Sequence, residues 1–74
     1  MFVETKQMGD EWFAEIWCNR VQFYSYAKTR SEAIKNLKSH LKAMVFVYEE
    51  KIKNDQETLA YIKNYVESGV DDDE

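Results

Sequence analysis

The first 27 residues alternate apolar and polar positions with a period of two, and the next 40 switch to a period near 3.6. The change of period predicts strands followed by helices. Met1–Met8 (MFVETKQM) reads as a strand with Val3 and Thr5 on one side and Phe2, Glu4 and Lys6 on the other. Gly9-Asp10 is a tight-turn pair, Glu11–Cys18 a second strand, Asn19-Arg20 a second turn and Val21–Ala27 a third strand. A two-residue loop at Asn19-Arg20 sets Cys18 opposite Val21, Ile16 opposite Phe23 and Ala14 opposite Ser25. Trp12, Ala14, Ile16, Cys18, Val21, Phe23 and Ala27 then share one face, and Phe13, Glu15, Trp17, Gln22, Tyr24 and Tyr26 share the other. The same logic in the first hairpin opposes Glu4 and Glu15. That pairing is unfavourable, so a bulge or a longer loop is an open alternative there.

Thr29-Arg30-Ser31-Glu32 has the spacing of a capping box, in which the Thr29 hydroxyl and the Glu32 carboxylate satisfy backbone N–H groups at a helix start. Ile34, Leu37, Leu41, Met44 and Tyr48 recur at spacings of three and four, one apolar stripe for a sheet to cover. Lys35, Lys38 and Lys42 lie off it. Val45, Phe46 and Val47 make the helix apolar nearly all round. A single sheet-packed stripe cannot bury them all, so we expect a second copy of the chain to cover them. Asn54-Asp55-Gln56-Glu57 repeats the capping arrangement ahead of a Leu59, Ile62 and Val66 stripe, and Gly69 is a natural stop. One helix over 30–68 would run about 58 Å, too long for so small a domain, which favours a break near Asn54 over the alternative of one long dimeric helix. Val70–Glu74 (VDDDE) reads as a disordered acidic tail. The expected fold class is α+β: a single domain over 1–69, built as a three-stranded antiparallel β-meander packed by a long helix, then a second helix and the tail.

Composition narrows the function. A chain of 74 residues with no Pro, two Gly and 45% hydrophobic residues has a core to pack but is near the lower size limit for folding alone. This again points to a homodimer, or to a tightly held partner. The single cysteine excludes an internal disulfide and a Cys/His zinc pattern. With no leader-like segment after Met1 and no long apolar run, a cytoplasmic protein that does not enter membranes is expected. The net charge of −4 is uneven: residues 20–53 are basic, while 1–19 and 54–74 are acidic.

No residue set announces catalysis, a cofactor or a metal site. His40, the only histidine, has no carboxylate at helical spacing to orient it as a base. Cys18 falls on the core face and reads as an inert buried thiol, although Arg20 could activate it if the turn brought them together. The Asp71–Asp73 run lacks calcium-loop spacing.

The rings are the informative feature, with six aromatics between Trp12 and Ala27. Phe13, Trp17, Tyr24 and Tyr26 would form a contiguous patch on the face away from the first helix. The second helix could fold across it. Alternatively it could bind another protein, or stack single-stranded RNA or DNA with help from Lys35, Lys38 and Lys42.

Trp12-Phe13-Ala14-Glu15-Ile16 and Thr29-Arg30-Ser31-Glu32-Ala33-Ile34-Lys35-Asn36-Leu37 resemble the HicB-like antitoxin domain, which has an aromatic-apolar-Ala-Glu-apolar strand and a Thr…Glu-Ala…Asn helix start. The resemblance covers residues 12–37. It departs at Cys18-Asn19-Arg20, where that family has a Pro/Gly bend, and after Asn54, where it has a further strand. It implies a strand-strand-strand-helix core, dimerisation and a binding or neutralising role. The function expected is therefore a small non-enzymatic protein-binding module, an inhibitor or antitoxin-like modulator such as small bacterial or phage genes encode.

Overall fold

A computed structural model describes residues 3–67. The expected acidic tail and the stop at Gly69 lie outside the described residues. The chain is α+β, with β1 (Glu4–Met8), β2 (Glu11–Cys18) and β3 (Val21–Ala27) forming an antiparallel sheet in the order β1-β2-β3, followed by helices α1 (Arg30–Glu50) and α2 (Gln56–Val66). The first strand is shorter than its alternation predicts, since Val3 lies outside the ladder.

Both hairpins close with two-residue turns through left-handed backbone, at Gly9 (φ 64°) and Asn19 (φ 63°). Glycine adopts that conformation without steric cost, and asparagine is the side chain that tolerates it best. The second turn fixes Cys18 opposite Val21, Ile16 opposite Phe23 and Ala14 opposite Ser25, the expected register. In the first hairpin Glu4 does stand opposite Glu15, without a bulge. The cost of that pair is reduced locally, because the Gln22 side-chain amide donates to the Glu15 carboxylate from the other side.

The Thr29 hydroxyl accepts the Glu32 N–H at 3.1 Å and starts α1. The helix runs 21 residues, about 31 Å at 1.5 Å per residue. It lays Ala33, Ile34, Leu37, Leu41 and Tyr48 against the inner sheet face, where Ala14, Ile16, Cys18 and Phe23 are buried. Its last turn closes when the Lys51 and Ile52 N–H groups both donate to the Val47 carbonyl.

The break falls at residues 51–55, as the length argument requires, but the cap is Asp55 and not Asn54: its carboxylate accepts the Thr58 N–H at 3.1 Å. Leu59, Ile62 and Tyr65 of α2 join the same core, beside α1. A Lys63–Glu49 ion pair at 3.3 Å ties the two helices at the surface. Among the described residues no helix is long and apolar enough to cross a membrane.

Candidate functional site: the outer face of the sheet

Because both helices pack on the inner side, no element among the described residues covers the opposite side of the sheet. Trp17 is 57% exposed, Tyr24 52% and Tyr26 49%. The alternative in which α2 folds across these rings is therefore not met. The connection at 51–55 turns α2 back along α1, where its stripe completes the inner core.

Register builds the outer face row by row, since residues directly opposite in a sheet share a side. Lys6, Phe13 and Tyr26 form one row and Glu4, Glu15 and Tyr24 the next; Trp17 stands beside Gln22, and Met8 beside Glu11. Three rings meet. The Phe13 centroid lies 5.6 Å from Tyr24 and 5.1 Å from Tyr26, and the two tyrosines are 6.0 Å apart. These are favourable offset and tilted geometries. Phe13, half-buried, is the floor, and the two more exposed tyrosines pack their rings against it. Trp17 extends the strip at the far end of β2, diagonal to Tyr24 across the ladder.

The charge on this face is mostly negative: Glu4, Glu11 and Glu15 project to the side of the rings, against one cation, Lys6. The Lys35, Lys38 and Lys42 stripe is not here. It belongs to α1, on the other side of the sheet, and the Lys38 ammonium lies 5.8 Å from the Tyr65 ring of α2. The two halves of a nucleic-acid site suggested by the sequence are thus held apart by the sheet.

Val45, Phe46 and Val47 are also divided. Successive helical positions point about 100° apart, so Val45 packs partly against the core while Phe46 stays 68% exposed and Val47 half-buried. Phe46 is the most exposed of the three, and Val47 does not join the core.

The other residues singled out from the sequence are inward or unremarkable. Cys18 is fully buried, and burial pushes its thiol up from 9.0 to about 11. Arg20 does not offset that burial. His40 is exposed, with its ring 5.9 Å from Phe23. Among the described residues no group of three or more His, Cys, Asp or Glu side chains could hold a metal ion. A contact that sequence reasoning missed is Asn36, whose side-chain amide donates to the Tyr26 carbonyl at 3.3 Å. Only knowledge of where α1 lies relative to β3 could have revealed it.

No protein-family model, no curated protein and no solved structure matches this chain.

Proposed function

We propose that the protein is a small non-enzymatic protein-binding module that docks another protein on its outer ring face and acts as an inhibitor or antitoxin-like modulator of it, working as a homodimer. The observation that carries this reading is the exposed Phe13–Tyr24–Tyr26 cluster, continued by Trp17, on a face that neither helix covers. Trp and Tyr dominate the binding energy of protein interfaces because each supplies large apolar area and keeps a hydrogen-bonding edge. The carboxylates of Glu4, Glu11 and Glu15 suit a partner surface that brings Lys or Arg to the rings, where cation–π contact adds to charge attraction.

The same carboxylates weigh against the alternative, a single-stranded RNA- or DNA-binding sheet, because a phosphate backbone would be repelled where the bases should stack. The sequestration of the Lys stripe on the helix side weighs against it as well.

The test is a Trp17→Ser/Tyr24→Ser double variant, used as bait in native lysate with sequencing of any co-purified RNA, alongside circular dichroism melting. Loss of a hot-spot ring typically costs about 2 kcal/mol or more, roughly thirtyfold in affinity. We expect a cooperative melt close to that of the wild type, loss of a protein partner, and no RNA recovered with the wild type. A variant that melts normally and keeps every partner overturns the reading. Salt-sensitive recovery of RNA by the wild type replaces it with the nucleic-acid alternative.

A further inference from the structure

The sheet has two open edges, and they differ. β1 carries Glu4 and Lys6 and lasts five residues, and the Arg30 side chain reaches across to donate to the Thr5 hydroxyl at 3.1 Å. β3 is seven residues of VQFYSYA, with no charge, no Pro and no Gly. Charged side chains and short length are what normally keep an edge from pairing with another chain. β3 has neither safeguard.

Hairpin geometry says which backbone groups this edge offers. In a two-residue hairpin the residues flanking the turn exchange both ladder hydrogen bonds, and hydrogen-bonded pairs alternate with non-bonded ones. Cys18–Val21, Ile16–Phe23 and Ala14–Ser25 are then the bonded pairs, so Gln22, Tyr24 and Tyr26 turn their N–H and C=O groups away from β2. The Asn36 bond to the Tyr26 carbonyl fits this phase, since it reaches that oxygen from outside the ladder. A carbonyl has a second lone pair, so this bond does not block further pairing.

We infer that the homodimer is made by antiparallel pairing of β3 with β3 of a second copy, giving a continuous six-stranded sheet. This rests on the dimer reading above and specifies its seam. Given a dimer, charge selects the seam. Two copies of β3 bring no like charges together, because there is none between Val21 and Ala27, whereas β1 paired with itself about its middle residue sets Lys6 against Lys6. Pairing over the full length of β3 puts its middle residue, Tyr24, on the two-fold axis and makes the outer rings of both copies one surface.

A strand seam alone is small beside the roughly 1,200–2,000 Å² of a stable interface, and the helix layer extends it. Asn36, His40, Ala43 and Val47 recur at the spacing of one helical stripe. The Asn36 bond to Tyr26 and the His40 ring beside Phe23 place that stripe along the β3 edge. The two-fold axis that joins the strands lays this stripe against its own copy. Val47 gains cover there, and Phe46 lies at the rim.

Amide exchange and molar mass on the full chain test the seam. The wild type should have twice the 8.9 kDa monomer mass, with the Gln22 and Tyr24 amides protected at dimer-forming concentrations and exchanging freely on dilution. Tyr24→Lys sets two like charges on the axis without altering the backbone, and Gln22→Pro removes an edge N–H that the monomer's own ladder does not use. Each should return the mass to 8.9 kDa, with association weakened about thirtyfold or more. A wild type that is monomeric at high concentration overturns both the seam and the dimer. A dimer that survives Tyr24→Lys with fast-exchanging Gln22 and Tyr24 amides, yet dissociates on Phe46→Ser, overturns the seam alone. A Gln22→Pro chain that cannot fold while Tyr24→Lys stays dimeric also overturns it, since that N–H would then belong to the ladder.

Discussion

Ile16 and Trp17 are neighbours in the chain, as are Phe23 and Tyr24, yet the sheet sends one of each pair inward and the other out. The inner positions are hydrocarbon or nearly so (Ala14, Ile16, Cys18, Phe23) and are buried under two helices. The outer positions are as large and as aromatic, but Trp17, Tyr24 and Tyr26 each end in a hydrogen-bonding group and are about half exposed. A ring with a polar edge can lose its apolar face to a partner and still be satisfied while it waits in water. Both faces carry rings, but only one is built to be wet part of the time.

The sharpest way to break this comparison is to delete one ring from each face. Phe23→Ala empties a buried site and should cost about 3–5 kcal/mol, enough to unfold most of a domain this small. Tyr24→Ala should cost about 1 kcal/mol or less, mainly the ring contacts with Phe13 and Tyr26. Urea melts of the two variants measure the gap, and equal losses would mean that the outer rings belong to the core.

Titration sharpens it next, because the inner face holds an ionisable group that resists ionising. The unfolded chain releases the Cys18 proton near its ordinary 9.0, the folded chain only near 11. Between these values the unfolded state binds fewer protons, so stability is complete below pH 9 and falls as pH rises through the window. At pH 10 the loss should be about 1 kcal/mol. Burial raises the Tyr48 hydroxyl in the same direction, with smaller contributions from Asp55 and Cys18. Cys18→Ala should therefore flatten the alkaline decline without abolishing it, as thermal melts at pH 8 and pH 10 would show.

A third change concerns what keeps α2 on the inner side. Asp55→Ala removes the cap of α2 and should cost about 1 kcal/mol, whereas Asn54→Ala should cost only a few tenths. The reverse order would move the helix start by one residue. The smallest effect belongs to the outer face. Glu4→Lys turns the like-charge pair with Glu15 into an attractive one and should stabilise the fold by about 0.2–1 kcal/mol in low salt. No gain at any ionic strength would show that the Gln22 bond already offsets the repulsion.

The register was legible because Asn19 tolerates the left-handed backbone of a two-residue turn and the side-chain period does the rest. The start of α1 was legible because Thr29 precedes Glu32 at the right spacing. The start of α2 was one residue off because Asn and Asp cap equally well and stand side by side at 54 and 55. The side of the sheet that α2 would choose was not legible at all. Its stripe of Leu59, Ile62 and Val66 would suit either face, and the decision lies in the path of residues 51–55. The site was legible as rings and, because α1 covers the opposite face, so was their separation from the Lys stripe; that α2 leaves the rings open was not.

The strand order also has a consequence in time. Every ladder joins neighbours in the sequence, so the whole sheet can form from residues 4–27 before α1 has been made. Local pairing is fast relative to synthesis. During translation the meander therefore leaves the ribosome with its inner apolar face bare as well as its outer rings, and it acquires its inner lid only when the segment through Tyr48 follows. Nascent chains arrested with just the sheet emerged should be held by chaperones, and those long enough to expose α1 should be released.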